Sequence, residues 1–387
     1  MNFITRTLLS VLLLSGSAGH SMHAMQQLAL CKNMPHKELI KGIKKLPNDL
    51  KRYILSLLFE RSIGDFQLYK TLTLEENPAC IAFSSKGESF FIGSLANPSC
   101  LWSSETGELL TTFTGPTDSL TYVAFNPQGK TVLMGSSYDS KSYIWSIENE
   151  ELVTTFVGHT NWVTSVAFSP NGEACLTGSG DNTACVWNAK TGDLITTFKG
   201  HTHWVTAVAF SPDGKSCLTG SRDTTVCLWN CETGELIFTL TGHDDRISAV
   251  AFSPDGDTIV TGCWDATVCL WEAKTGKLIT TIREHTNRIG SVVVSPDGET
   301  LLIGSWDRTV SLVDFKTRER LMKLEDHTNW VLLVAFSPDG NSFLTGSYDK
   351  MVCLWKRREE GFDNLTDKKK ESARKKFLIL YRILNPS

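Results

Sequence analysis

The sequence has neither a strong charge bias nor an apolar run long enough to cross a membrane. Its 387 residues include 38 Lys and Arg against 42 Asp and Glu, a net charge of -4, so bulk attraction to nucleic acid is not expected. The apolar run Leu8–Leu14 is shorter than the about 20 residues that a spanning helix needs. With 41% hydrophobic and 21% charged residues, the composition excludes a mainly disordered chain.

The sequence also lacks the cysteine spacing of a zinc site, because no Cys-x-x-Cys pair occurs. We therefore expect no metal site and no cofactor. Eleven cysteines is an odd number, so at least one thiol is unpaired. Five cysteines stand two residues before a tryptophan, which favours packing as small buried side chains over a ladder of disulfides. They are Cys100, Cys185, Cys227, Cys269 and Cys353.

Residues 1–24 are predicted to be an export signal peptide. Arg6 forms a short basic region, Leu8–Leu14 is the apolar stretch, and small residues follow it. This pattern predicts a periplasmic or secreted protein, although the odd number of cysteines argues against an oxidising compartment. The alternative is that translation begins at Met22 or Met25, which would leave the protein in the cytoplasm.

A repeat of 42 or 43 residues organises the chain between residues 68 and 355. One marker is a tryptophan, replaced once by valine, and a second is a turn of the type Ser-Pro-Asp-Gly. Both markers count seven units, each of which predicts four short strands and no helix. The first marker stands at Trp102, Trp145, Trp187, Trp229, Trp271, Val313 and Trp355. The second stands at 84–87, 126–129, 169–172, 211–214, 253–256, 295–298 and 337–340.

In this repeat the sequence resembles the WD-repeat β-propeller family, whose units of about 40–45 residues each form one four-stranded blade. The Gly-His landmark of that family is intact at Gly158-His159, Gly200-His201 and Gly242-His243, whereas His285 and His327 keep only the histidine. The resemblance implies an all-β, seven-bladed WD-repeat propeller over residues 67–355. Short helical flanks are expected on both sides, at 25–66 and 356–387.

The way in which the ring closes can also be predicted. No fourth strand follows Trp355, whereas Leu68–Thr73 matches the pattern of an outer strand such as Leu194–Lys199. We therefore expect Leu68–Thr73 to complete the seventh blade. Closure would leave only short protected edges, so a monomeric propeller is expected.

Histidine, threonine, aspartate and tryptophan recur together in the repeats. A histidine with an aspartate and a hydroxyl is also typical of a hydrolase, but an active site needs one differentiated set, and this set is repeated. The resemblance implies instead a structural Trp–Thr–His–Asp tetrad, and we expect no enzyme. The four sets are His159, Thr177, Asp181, Trp187; His201, Thr219, Asp223, Trp229; His243, Thr261, Asp265, Trp271; and His327, Thr345, Asp349, Trp355.

Three blades depart from the tetrad. The sixth keeps His285 and Asp307 but has Ile303 and Val313 in place of threonine and tryptophan. The first and second blades lack more of it. The first blade has Ile92 and Ala96 at tetrad positions, and the second has Met134 and Pro116. We expect these three blades to be locally the least stable.

Ten positions are expected to meet on one face of the propeller, three residues after each histidine or just before each aspartate. They hold seven aromatic residues and three arginines, types that are enriched at interface hot spots. The arginines favour a partner with carboxylates or phosphates. The alternative is that these residues merely cap the loops. The positions are Tyr138, Trp162, Trp204, Arg222, Arg246, Trp264, Arg288, Trp306, Trp330 and Tyr348.

The two flanks carry weaker signals. Residues 46–58 resemble the opening of an F-box, but we favour an ordinary amphipathic docking helix there. The tail, 356–387, has ten Lys and Arg against five Asp and Glu and ends in the apolar stretch Phe377–Leu384. It could dock on the N-terminal helix, bind a partner or lie on a membrane surface, and we favour the first.

These observations predict a non-enzymatic scaffold or adaptor that binds a protein or peptide on the propeller face. The alternative is an F-box-like substrate receptor that recruits ubiquitin ligase machinery. No nucleic acid is expected as a partner, and membrane contact is expected only through the C-terminal helix.

Overall fold

The computed structural model describes residues 66–94, 98–113 and 120–357. These residues form 28 strands in seven four-stranded antiparallel sheets, which confirms the seven-bladed, all-β propeller. Within these ranges no helix has the length and apolar character needed to cross a membrane. The signal peptide, the F-box-like segment and the basic tail from residue 358 lie outside the described residues and stay predictions.

The first four blades follow one another along the chain, each built from four consecutive strands. Blade one contains β2 (Pro78–Phe83), β3 (Ser89–Ser94), β4 (Ser99–Ser103) and β5 (Leu109–Phe113). Blade two contains β6 (Leu120–Phe125), β7 (Thr131–Ser136), β8 (Ser142–Ser146) and β9 (Glu151–Phe156). Blade three contains β10 (Val163–Phe168), β11 (Ala174–Ser179), β12 (Thr183–Asn188) and β13 (Leu194–Lys199). Blade four contains β14 (Val205–Phe210), β15 (Ser216–Ser221), β16 (Val226–Asn230) and β17 (Leu236–Leu240).

The seventh blade differs from the others because it combines both ends of the described chain. Blade five contains β18 (Ile247–Phe252), β19 (Thr258–Cys263), β20 (Val268–Glu272) and β21 (Leu278–Ile282). Blade six contains β22 (Ile289–Val294), β23 (Thr300–Ser305), β24 (Val310–Asp314) and β25 (Arg320–Leu324). Blade seven contains β26 (Val331–Phe336), β27 (Ser342–Ser347), β28 (Met351–Arg357) and β1 (Phe66–Thr73).

The outer strand of blade seven confirms the predicted closure. β1 runs antiparallel to β28, with Thr71 opposite Cys353 and Leu72 opposite Val352. The ammonium group of Lys350 also donates to the carbonyl of Glu75, at 2.8 Å. Residues almost 300 positions apart in sequence therefore share one sheet, so closing the ring joins the two ends of the repeat.

The core lies between neighbouring blades. The second strand of each blade is buried along nearly its whole length, because a sheet faces it on either side. Leu218 of blade four packs in one cluster with Ile247 and Trp271 of blade five. Gly220 makes this contact possible, since a Cβ there would lie 2.6 Å from Ile247 of the next blade. Each blade is thus stabilised by its neighbours rather than alone.

The Ser-Pro-Asp-Gly turns connect the first and second strands. Gly214 has a φ of 70°, which glycine adopts without strain, and its amide donates to the carbonyl of Ser211 at 2.9 Å. The Ser211 hydroxyl donates to Asp213 at 2.6 Å and accepts the amide of Ser216 at 2.9 Å. The serine, aspartate and glycine of the repeated turn therefore each have a local structural role.

The repeated cysteines behave as the sequence predicts. None of the five forms a disulfide, and each lies opposite a threonine of the outer strand, with the sulfur 3.4–3.9 Å from the hydroxyl oxygen. A different pair is bridged, since Cys217 of β15 and Cys231 just after β16 form a disulfide. The sequence analysis did not predict this bridge.

Candidate functional site

The repeated His, Thr, Asp and Trp side chains form one hydrogen-bonded chain in blade four. His201 Nδ1 lies 2.9 Å from Asp223 Oδ2, and its Nε2 lies 2.8 Å from Thr219 Oγ1. The indole N–H of Trp229 donates to the same threonine oxygen at 2.7 Å. Blades three, five and seven repeat these contacts within 2.7–3.2 Å. The tetrad joins the loop before the first strand to the second and third strands.

The electrostatics of the tetrad favour a charged pair. Burial alone lowers the pKa of His159, but its hydrogen bonds and nearby charges, first of all Asp181, raise that pKa to about 9. Burial in turn raises the pKa of Asp181, but the hydrogen bonds from His159 and Thr183 hold it well below the usual range. His201 of blade four behaves in the same way, with a pKa of about 9. In blades three and four the aspartate therefore favours the protonated form of the histidine.

A further hydroxyl supports each aspartate and was missed from the sequence. Thr225, two residues after Asp223, donates to its second carboxylate oxygen at 2.6 Å. Thr183, Thr267 and Thr309 make the same contact at the same distance. The repeated spacing Asp-x-Thr was the signal; blade seven breaks it with Met351, and blade two breaks it with Lys141. These added bonds leave the carboxylates fully engaged within the protein.

The three blades with an incomplete tetrad contain orphaned buried polar atoms. In blade six Ile303 lies where the four complete blades have threonine, and Nε2 of His285 has no partner among the described residues. In blades one and two the indole N–H groups of Trp102 and Trp145 are orphaned in the same way. Each such group costs about 1–3 kcal/mol of stability. Ala96 and Pro116 lie outside the described residues.

The Gly-His landmark follows from the tetrad tryptophan. A Cβ on Gly158 would lie 2.8 Å from Cη2 of Trp187, so a larger residue there would collide with the ring. Blade six has valine in place of this tryptophan, and there Glu284 stands in place of the glycine. Its carboxylate pairs with Arg320 at 3.0 Å. Blade seven is an exception, because Asp326 replaces the glycine there although Trp355 is kept.

One group of side chains has the composition of a metal site. Nitrogen, sulfur and oxygen atoms of His243, Cys263 and Asp265 lie within 4.8 Å of one another, the only such group of three among the described residues. Cys263 stands where other blades have serine, and its thiol donates to the carbonyl of Asp245 at 3.0 Å. His243 and Asp265 are paired in the tetrad at 3.0 Å. These candidate ligand atoms therefore already take part in hydrogen bonds within the protein.

Backbone hydrogen bonds bring the predicted face residues together in pairs. The amide of Arg222 donates to the carbonyl of Trp204 at 2.9 Å, and Trp264 donates to Arg246 at 3.0 Å. The same bond joins Trp306 to Arg288, Tyr348 to Trp330, and Gly180 to Trp162. These five backbone hydrogen bonds involve nine of the ten predicted face residues. Tyr138 of blade two is 84% exposed, and residues 114–119 of that blade lie outside the described residues.

Ring contacts join these residues in two groups, one on blades three and four and one on blades five to seven. Trp306 stacks on Trp330 with centroids 4.2 Å apart, and Tyr348 and Trp264 extend the row on either side, at 5.6 and 4.7 Å. On the other side Trp162 meets Trp204 at 5.6 Å. We call the nine residues the arginine–aromatic arc. They are Trp162, Trp204, Arg222, Arg246, Trp264, Arg288, Trp306, Trp330 and Tyr348.

The arginines of the arc lie over the rings of its tryptophans. The guanidinium carbon of Arg246 is 3.6 Å from the centroid of Trp264, and that of Arg222 is 3.9 Å from Trp204. Arg288 lies between two indoles, 4.0 Å from Trp264 and 4.9 Å from the next. Such stacking fixes the guanidinium plane and leaves its N–H edges to bind an acceptor.

Comparisons with known proteins agree with this architecture. The family described as WD domain, G-beta repeat, matches residues 107–146, 150–188 and 318–356. Residues 180–318 are similar to the domain described as IFT122 first beta-propeller. No curated protein sequence matches the chain.

The fold and the repeat together define the class of protein. The chain is a seven-bladed WD-repeat β-propeller protein. WD-repeat propellers are typically protein-interaction scaffolds and are generally not enzymes.

Proposed function

We propose that this chain is a non-enzymatic scaffold that binds a protein or peptide partner on the arginine–aromatic arc. The observation that carries the proposal is two rows of large aromatic rings, one on blades three and four and one on blades five to seven, on loops rather than in the core. Trp162 is 48% exposed and Tyr348 is 43% exposed, although both are residues that proteins usually cover. Exposed clusters of aromatic residues and arginine are typical of interaction sites.

The hydrogen bonding of the tetrad supports a role without catalysis. A general base must be free to take a proton from a bound substrate. His201 instead has both ring nitrogens in short contacts with Asp223 and Thr219, and its side chain is only 3% exposed. The same arrangement recurs in three other blades, which favours a structural role.

A peptide-display selection against the full chain tests this proposal. Selected peptides should bind the wild type and lose about tenfold or more in affinity with Trp162→Ala or Trp330→Ala, the range expected for aromatic hot spots. The matched control is Ile237→Ala on the outer strand β17, where the isoleucine is also 48% exposed. Peptides that lose affinity with the control, but not with the arc variants, would contradict the proposal.

The F-box-like alternative concerns residues 46–58, and it stays a prediction, as does export of the chain. Capture of an Skp-type adaptor by the full chain, abolished by Leu50→Ala with Ile54→Ala, would support the receptor. Sequencing the mature N-terminus would decide whether residues 1–24 are removed.

A further inference from the structure

The arc is interrupted between blades four and five, and two arginines border the interruption. Trp162, Trp204 and Arg222 form one part, and Arg246 begins the second part, which ends at Tyr348. Among the described residues no ring or cation–π contact joins the two parts. Two guanidinium groups therefore face the same break in an otherwise continuous aromatic surface.

The loop pairs of blades four, five and six are not simple copies of one another. Each pair has one tryptophan and one arginine, but their order is reversed in blade four. There Trp204 precedes Arg222, whereas Arg246 precedes Trp264 in blade five, and Arg288 holds the same place in blade six. The reversal leaves Arg222 and Arg246 as the residues on either side of the break, close enough for the charge of Arg246 to act on Arg222.

These arginines lack the carboxylates that would neutralise them. Arg222 and Arg288 form no ion pair with any carboxylate that the structure describes, and Arg246 has only Asp245, with its Nε 3.9 Å from the carboxylate. Nε of Arg222 is buried and without a hydrogen-bond partner in the described chain. Burial and then the charge of Arg246 lower the pKa of Arg222, so the two cations repel each other. An anion between them would relieve both costs.

We propose that Arg222 and Arg246 together bind an anionic side chain, carboxylate or phosphate, of a peptide whose aromatic or apolar neighbours lie on the tryptophans of the arc. This inference rests on the proposed function and adds the chemistry of the partner. The stacked guanidinium groups present their N–H edges to a planar acceptor, and charged hydrogen bonds of this kind are stronger than neutral ones.

Defined peptides and the full chain provide the test. The probes are a fluorescein-labelled octapeptide of alternating Glu and Tyr, the same peptide with Gln in place of Glu, and a third with phosphoserine in place of Glu. We expect one or both anionic peptides to bind at least about tenfold more tightly than the Gln peptide, as measured by fluorescence anisotropy. The tighter of the two identifies the carboxylate or the phosphate as the preferred group.

Charge variants place the anion at the break. Arg222→Gln and Arg246→Gln should each weaken binding of the anionic peptide about tenfold to a hundredfold, with unchanged thermal unfolding. Asp245→Asn should strengthen binding, because it removes the carboxylate that competes for Arg246. Lys274→Gln is the control for net charge, since this lysine pairs with Asp257 at an exposed site away from the arc, and its affinity should match the wild type.

Three results would overturn the inference. One is equal binding of the Gln peptide and the anionic peptides, which would leave a peptide-binding face without the proposed charge preference. The second is wild-type affinity in both arginine variants, and the third is no binding of either anionic peptide. The display selection judges the scaffold function independently, so the two proposals can fail separately.

Discussion

The propeller carries two sets of residues in the same loops, one buried and one exposed. His201 is buried in the tetrad, whereas Trp204, three residues later, belongs to the arc. Blade six separates the two sets. It has lost the tetrad threonine and tryptophan, yet Arg288 and Trp306 still stack in the arc. The buried set therefore contributes to stability, whereas the partly exposed set is the one proposed to bind a partner, and blade six shows that the first can change without the second.

The largest expected effect is a loss of stability at alkaline pH, because it acts on several tetrads at once. The pKa of His159 and of His201 is raised from 6.5 to about 9 in the folded protein. Their contribution is therefore complete below about pH 6.5 and is lost as the pH rises through about 9. The free energy of unfolding in urea should fall by several kcal/mol between pH 6.5 and 9. A constant or rising value over that range would contradict the charged tetrad.

Thr219→Val should have the next largest effect, because it leaves Trp229 and His201 each with an unpaired buried nitrogen. Two such groups cost about 2–6 kcal/mol of the free energy of unfolding. Ile303→Val is the matched control at the same place in blade six, where no hydrogen bond is lost and about 0.5–1.5 kcal/mol is expected. Equal losses of stability in the two variants would show that the hydrogen bonds of the tetrad contribute no stability beyond that of side-chain packing.

Loss of the disulfide in blade four should have the third largest effect on stability. The disulfide joins Cys217 and Cys231, which are 14 residues apart in the sequence. Cys231→Ala removes this bridge and should lower the free energy of unfolding by about 3 kcal/mol. A reducing agent should lower the stability of the wild type by a similar amount and leave the variant unchanged. Cys175→Ala, at the matching place in blade three, should respond to the reducing agent as the wild type does. A reductant without effect on the wild type would contradict the bridge.

The smallest expected effect is a partial repair of blade six. Ile303→Thr gives Nε2 of His285 a hydroxyl partner, which offsets the lost methyl packing, so the free energy of unfolding should change by no more than about 1 kcal/mol. Leu302→Thr is the control, because this buried side chain lies next to it but meets no orphaned nitrogen. It should cost at least about 2 kcal/mol. Equal losses would mean that the orphaned nitrogen of His285 carries no penalty.

The fold was more predictable than the site. The spacing of the tryptophans and turns determined seven sheets, and the pattern of Leu68–Thr73 identified the strand that closes the ring. The bridge between Cys217 and Cys231 was not predictable, because its geometry depends on where β16 ends relative to β15. Nor did the sequence predict that Arg222 lies over the ring of Trp204, since such stacking depends on side-chain directions across two loops.

The central claim is that Thr219 and Arg222, three residues apart in blade four, belong to the two separate sets. The decisive measurement is the free energy of unfolding together with the affinity for the anionic octapeptide, for Thr219→Val and Arg222→Gln. The account predicts that Thr219→Val lowers stability by at least about 2 kcal/mol and leaves affinity unchanged, whereas Arg222→Gln changes stability by less than about 0.5 kcal/mol and weakens binding at least about tenfold. If both variants lose stability and affinity together, the two sets are not separable and the account is wrong.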